Sequence, residues 1–517
     1  MRARSLMIQG TASSVGKSLV TAALCRIFRR QGFSVAPFKA QNMSLNSFIT
    51  PEGHEIGRAQ AVQAEAAGIE PSSLMNPVLL KPCAEHVSQV IVRGLVRCTL
   101  SAREYHGFRA GLREEVRAAY EELARAHDLI LIEGAGSPAE INLRENDLAN
   151  MGMAAMADAP VLLLGDIERG GVFAALYGTV RLLEQEERRR IRLLAINKFR
   201  GDPGILEPGL RQLEGLLGIP FAGVLPYADI RIDEEDSLSE RLGAARGAFC
   251  EAGELDIAVI RLPRMSNYTD FTVFELFPDV RLRYVQRACE LGRPDLLVLP
   301  GSKSTLADLA WLRRGGLAAA ILGLAAEGVA LIGICGGFQM LGKGIRDPHG
   351  VEDGGEARGL GLLDLETVFE AEKRTRRVCL RLGKHGGLLA GSEGMELCGY
   401  EIHMGRSEDG LRREGGEGNA CAPLGRTGQN GAGRDGLVHP SGRILGSYVH
   451  GFFDHVPFTR LLLNNLRREK GLAPLAPPPM SHRDFRLNEL DRLADLVEGH
   501  MDLDALKSCI EQWPGNG

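Results

Sequence analysis

Two groups of residues in this chain have the types and spacing to do chemistry. The first is Gly10-Thr11-Ala12-Ser13-Ser14-Val15-Gly16-Lys17-Ser18, which follows the apolar run Ser5-Leu6-Met7-Ile8 and precedes Leu19, Ala22, Ala23, Leu24, Ile27 and Phe28 at helical spacing. A strand, a glycine-rich turn and a helix in that order make a cradle for phosphate. The glycines permit the turn, backbone amides and the helix N-terminus face an anion, Lys17 adds a point charge, and Ser18 is placed to hold Mg2+. Five residues separate Gly10 from Gly16, one more than the usual spacing. Further polar residues follow apolar runs, where open α/β sheets bind ligands. Lys39 is expected to contact a phosphate or carboxylate, and Lys81 is a weaker candidate for the same work. Glu133, ending Asp128-Leu129-Ile130-Leu131-Ile132, is expected to reach Mg2+ directly or through water. Asn197 is expected to meet a nucleobase edge, and Asn42, Asn46 and Asp147 to face substrate, although Asp147 serves equally as a helix cap. For Asp166 the sequence leaves two roles open, Mg2+ ligand or loop support.

The second group centres on Cys335. It lies between the apolar run Ala330-Leu331-Ile332-Gly333-Ile334 and Gly336-Gly337-Phe338-Gln339, the pattern of a nucleophile held on a sharp strand-to-helix turn. A thiol there gains from the helix N-terminus and from amides that can bind an oxyanion. His450 follows another apolar run, Ile444-Leu445-Gly446-Ser447-Tyr448-Val449, and pairs with Cys335 if the two strands are close in space. Phe452, two residues on, offers no acid to orient it. The third member of a triad is thus left open, with Glu401 the first acid to consider. Glu401 and His403 either line an interdomain face or end an exposed strand.

Both groups need strands to position them. A chain of 517 residues is too long for one hydrophobic core. With 44% hydrophobic and only 5% aromatic residues, it fits alanine- and leucine-rich α/β layers and not disorder. The expected fold is therefore α/β: two doubly wound domains with mainly parallel sheets, an N-terminal phosphate-loop domain at 1–245 and a second domain at 255–460. The first lapses in pattern at 244–254. Residues 410–436, rich in Gly and Arg with few apolar positions, read as a mobile insertion, and 461–517 as a helical tail. A net charge of -5 gives no reason to expect nucleic acid. No apolar run is long enough for a bilayer and no cleavable leader is evident, so the expected location is the cytoplasm. Ten cysteines without a Cys-x-x-Cys pair suggest neither a zinc site nor a disulfide framework.

The longer phosphate loop resembles that of the dethiobiotin synthetase group. Taken with residues 37–47, 133–150, 332–342, 399–407 and 446–454 in that order, the whole chain resembles the cobyric acid synthase family of glutamine-dependent amidotransferases. The resemblance implies an ATP domain like dethiobiotin synthetase fused to a class I amidotransferase-like domain, with ATP and Mg2+ as cofactors. It further implies L-glutamine as nitrogen donor and a corrin substrate, adenosylcobyrinic acid a,c-diamide, amidated at its b, d, e and g side chains. On that footing Gly10, Thr11, Val15, Gly16, Lys17, Ser18, Lys39 and Asn197 would bind ATP, Ser18 and Glu133 the metal, and Cys335 and His450 would hydrolyse glutamine. A cobyrinic acid a,c-diamide synthase would share both domains; residues 37–47 and 137–150 speak against it. A CTP synthase normally keeps the His-Pro-Glu missing here, and a partitioning-type ATPase would have no cysteine elbow.

Overall fold

The computed structural model describes residues 3–84, 86–232, 253–352, 354–409, 421–427 and 433–513. Most of the expected boundary at 244–254 lies outside them. The first sheet runs Phe221–Pro226, Ile191–Phe199, Val161–Asp166, Arg4–Gly10, Leu129–Glu133, Val35–Phe38, all parallel. Both faces are covered, which is why its central strands are apolar without alternation: Leu6, Met7, Ile8 and residues 130–132 are all fully buried. The phosphate-loop strand lies in the middle, and its helix Lys17–Arg30 packs across one face.

The second sheet begins with the parallel series Val280–Val285, Leu255–Ile260, Leu296–Leu299, Ala330–Ile334, Ile444–Ser447. It then continues antiparallel through Gly433–Val438, Ala422–Thr427 and Leu365–Leu382. The long strand Leu365–Leu382 also pairs with Glu396–Asp409. The α/β class and the mainly parallel sheets thus hold, with an antiparallel extension added to the second. Two segments of the expected insertion at 410–436, Ala422–Thr427 and Gly433–Val438, are strands of this sheet; 410–420 and 428–432 lie outside the described residues. Leu424 within that stretch and Leu437 just beyond it are buried and anchor the two strands.

Cys379 and Cys398 face each other on the paired strands and are joined as a disulfide, a crosslink that cysteine spacing did not suggest. Its origin is register, which pairs residues distant in sequence.

The C-terminal helices divide between the domains. Val456–Glu469 starts inside the expected second domain and packs in its core through Phe458, Leu462 and Leu463, with Arg460 forked onto Asp279 at 2.8 and 3.0 Å. His482–His500 instead returns to the first domain. Its Leu490, Leu493, Ala494 and Val497 join the core under Lys17–Arg30, and Asp491 takes two bonds from Arg26 at 2.7 and 2.9 Å. Ser481 caps that helix through the Asp484 amide. The chain end therefore straps the second domain to the first. Among the described residues no single helix is long and apolar enough to cross a membrane.

Leu490→Ala removes a fully buried side chain from this strap and should cost about 2–5 kcal/mol. The first unfolding transition on heating reads it; Leu475→Ala, on an exposed side chain, should leave that transition within about 0.5 kcal/mol of the parent.

Candidate functional site

At the phosphate loop the backbone does what the glycine pattern requires. Gly16 sits at φ 97°, and a Cβ on Gly10 would meet Val15 Cγ2 at 2.3 Å. Val15 is buried beneath the loop, and Thr11 N donates to Leu164 O, tying the loop to the neighbouring strand. Lys17 Nζ donates to Ala12 O at 2.8 Å and to Gly136 O at 2.9 Å, so the lysine bridges the loop and the segment after Glu133. Ser18 Oγ donates to Glu133 Oε1 at 2.7 Å, Lys39 Nζ lies 2.9 Å from the same oxygen, and Gln63 Nε2 donates to Oε2 at 2.6 Å. Burial would raise the Glu133 carboxyl, but Lys39 and these donors outweigh it and hold it below the usual range. Glu133 is thus a buried, charged carboxylate facing Ser18.

Other residues expected here are used elsewhere. Asn197 gives Nδ2 to Val15 O at 2.9 Å and takes Lys198 N on Oδ1 at 2.8 Å, so it braces the loop from the end of its strand. Asp147 accepts from the amides of Ala149, Asn150 and Gly152 at 2.8, 3.0 and 2.9 Å. It secures the start of helix Met151–Ala157, the helix-cap alternative, because amides at a helix start attract a nearby carboxylate. Asn42 donates to Gln60 Oε1 at 2.9 Å, within the shell around Glu133. Asn46 accepts from Tyr268 N at 3.3 Å and so faces the second domain. Asp166 pairs with Lys198 at 2.9 Å and accepts from Glu168 N, taking the loop-support role. Lys81 lies 2.7 Å from Glu55, which also pairs with Lys373 of the second domain; it belongs to a domain joint and not to a phosphate site.

In the second domain the strands Ala330–Ile334 and Ile444–Ser447 are parallel neighbours, which brings Cys335 and His450 together. Cys335 stands at φ 50°, ψ -108°, a conformation costly for a non-glycine residue and maintained by its surroundings. Gly337 must be glycine there, since a Cβ would meet Leu299 O at 2.0 Å. The Cys335 Sγ donates to Ile402 O at 3.6 Å.

The third member of the site is Asp270. Its Oδ2 lies 2.7 Å from His450 Nδ1, and its Oδ1 accepts from Gly451 N at 2.9 Å. Burial alone would lower the imidazole, but Asp270 and the adjacent Cys335 outweigh it and push it up to about 10. Glu401 does not reach this histidine. It takes Arg376 at 2.9 and 3.2 Å and lies 3.7 Å from His403 Nε2. Both Glu401 and His403 are buried, so neither ends an exposed strand. Phe452 is fully buried against Phe453 and Phe458, which leaves the usual place of a triad acid in an apolar wall. Sequence reasoning missed Asp270 because it lies in a 3-10 segment without periodic pattern. A polar cluster, Ser266-Asn267-Tyr268-Thr269-Asp270, just beyond the strand Leu255–Ile260 was the available signal.

Residues 6–238 match the family described as CobQ/CobB/MinD/ParA nucleotide binding domain, and residues 256–458 the CobB/CobQ-like glutamine amidotransferase domain. Curated relatives named cobyric acid synthase align end to end. The Yersinia enterocolitica protein is 50% identical over 98% of each chain. The Caldanaerobacter subterraneus protein is 48% identical over 99% of each, and the Sorangium cellulosum protein 52% identical over 97% of this chain and 98% of its own. A solved glutamine amidotransferase structure overlaps 41% of this chain and 98% of its own, at 19% identity and a TM-score of 0.29.

Asp270→Asn keeps the shape at Nδ1 and removes the charge. Glutamine-dependent kcat should fall by about two to four orders of magnitude. The alkaline limb of the glutamate-release profile should move to lower pH, since the imidazolium loses the carboxylate that raises it. Glu401→Gln should leave that limb in place.

Proposed function

Since the chain belongs to the cobyric acid synthase family, we propose that its first domain activates corrin carboxylates with ATP while its second releases ammonia from glutamine at Cys335. It is an ATP-dependent, glutamine-hydrolysing carbon-nitrogen ligase. Its substrate is adenosylcobyrinic acid a,c-diamide, amidated at the b, d, e and g side chains. A carboxylate is a poor acyl donor to ammonia. Transfer of the γ-phosphoryl group from ATP to a carboxylate oxygen, with ADP leaving, makes an acyl phosphate whose carbonyl carbon ammonia attacks, expelling phosphate. Gly10, Thr11, Val15, Gly16, Lys17 and Ser18 form the phosphate cradle, and Lys39 adds charge beside it.

The residues around Ser18 fit Mg2+. Glu133 is a charged acceptor facing the Ser18 hydroxyl, and the buried Gln63 Oε1 has no hydrogen-bond partner among the described residues, an acceptor suited to metal-bound water. Bound there with the phosphates, Mg2+ would offset negative charge during transfer.

In the second domain the Cys335 thiolate attacks the glutamine carboxamide carbon. His450 gives its Nε2 proton to the departing nitrogen, Asp270 stabilises the imidazolium through Nδ1, and water hydrolyses the thioester to glutamate. The observation that carries this reading is the Cys335, His450 and Asp270 constellation, joined in one chain to a charged phosphate-loop site. Mass spectrometry of the a,c-diamide after incubation with ATP and glutamine tests it: successive replacement of carboxylate by carboxamide at the b, d, e and g positions is the expected result. Cobyrinic acid lacking those first amides should give no product, whereas an a,c-diamide synthase would use it.

Cys335→Ser should abolish amidation from glutamine and preserve amidation from added ammonium salts. Joint loss in a folded protein would count against this division of labour between the domains. Lys17→Ala should lower amidation from either nitrogen source by about a hundredfold or more, because the charge it removes faces the transferring phosphoryl group.

A further inference from the structure

Asp270 is not the only residue of its segment on the catalytic histidine. Residues 265–266 pair antiparallel with 301–302 beside the Cys335 turn, after which Asn267 adopts a left-handed conformation at φ 53°. Asn267 is 1% exposed. Its Oδ1 accepts from Ser47 N of the first domain at 3.1 Å, and its Nδ2 lies 3.4 Å from His450 Nε2. The next residue holds the same loop, Tyr268 N donating to Asn46 Oδ1. One short segment therefore holds both nitrogens of His450 and two consecutive residues of the ATP domain.

The donor and acceptor roles are fixed by chemistry. A backbone amide only donates, so the bond from Ser47 assigns Oδ1 and leaves the Asn267 N–H group pointing at His450 Nε2. That arrangement accepts a neutral imidazole protonated at Nδ1, whose Nε2 is an acceptor. It opposes an imidazolium, whose Nε2–H would face another donor. The thiol proton meanwhile is directed to Ile402 O. Asp270 favours the imidazolium and Asn267 resists it, and the resistance lasts only while Ser47 holds the amide.

The Ser47 contact is in turn connected to the ATP site. Ser47 pairs with Gly57, Gly57 N donates to Asn76 Oδ1, Asn76 Nδ2 donates to Lys39 O, and the Lys39 ammonium binds Glu133. We propose that Asn267 is a positioning residue that couples glutamine hydrolysis to the ATP site: with Ser47 engaged its N–H group opposes a proton at His450 Nε2, and when substrates shift residues 46–47 the amide turns so that its oxygen accepts a hydrogen bond from Nε2–H. The proton moves from Cys335 Sγ to His450 Nε2, and no other bond changes. The two-state element is the amide itself, which has two stable orientations about its Cβ–Cγ bond. This rests on Cys335 and His450 being the glutamine-hydrolysing pair.

The test is glutamate release by the full-length enzyme with glutamine alone and with glutamine, ATP, Mg2+ and the a,c-diamide. The parent should be stimulated by the added substrates roughly 5- to 150-fold, the range of ordinary coupling. Asn267→Asp is isosteric and tolerates the left-handed backbone, and its carboxylate accepts from Ser47 N and from Nε2–H together. Its release with glutamine alone should rise, and the stimulation should shrink to within about threefold of unity. Asn267→Gly keeps the backbone and deletes the opposing donor, and it should lose stimulation likewise. A merely structural role would lower both rates together and preserve their ratio. That result in both variants, or a parent that substrates do not stimulate, overturns the proposal. Failure of the underlying pair would show separately, as glutamate release that survives Cys335→Ser.

Discussion

The contact on which the glutaminase half depends is the buried carboxylate of Asp270 against His450 Nδ1, with the imidazole fully buried and the acid 4% exposed. A carboxylate taken from water costs several kcal/mol unless its oxygens are satisfied. Here Oδ2 faces the ring and Oδ1 receives Gly451 N, so the charge is bonded at both ends. The ring is further fixed by Tyr400, stacked at 5.2 Å and bonded to His450 through both backbone groups. Phe452 could not be an acid in this environment without losing its packing against Phe453 and Phe458. The acid is instead supplied from 180 residues earlier in the chain.

What was legible in the sequence was local. The phosphate loop and the Cys335 turn each consist of a strand, a loop and a helix in immediate succession, and periodicity with glycine placement describes all three. His450 was legible for the same reason, lying directly after a buried strand. Asp270 and Asn267 were not, because their work is tertiary: an aperiodic segment turns back onto a strand end far along the chain. Polar residues at strand ends were less specific. Lys81, Asn46 and Asp147 stand where ligands bind in open α/β sheets, yet a domain joint, an interdomain backbone contact and a helix start claim them. The rule that strand ends gather polar side chains gives the neighbourhood and leaves open which polar groups the protein uses to hold itself.

The joint between domains illustrates that ambiguity. Burial would raise the Glu55 carboxyl, but Lys373 and Lys81 together hold it well below the ordinary carboxylate range, while burial lowers the Lys373 ammonium to about 8 despite its glutamate partner. Two lysines from different domains share one acid in a dry setting. Removing either cation would leave the other to neutralise Glu55 alone, whereas removing the acid would leave two buried like charges facing each other. The arrangement is therefore specific to the docked state, and with the helix His482–His500 strapped over the first domain it holds the two sites at a fixed approach.

That approach has a consequence for the ammonia that passes between reactions. Both sites lie past the carboxyl ends of parallel strands, and the loops that extend from those ends meet at 46–47 and 267–268. Asn46, Ser47, Asn267 and His450 are each no more than 1% exposed. In so dry a joint, the charged form of a small amine is penalised relative to the neutral one, as it is for a buried lysine. His450 has by then given its Nε2 proton to that nitrogen and its Nδ1 proton is held by Asp270, so ammonia released here has little means of becoming ammonium. The same carboxylate that makes the histidine able to support a thiolate thus also keeps the product in the form that an acyl phosphate can accept.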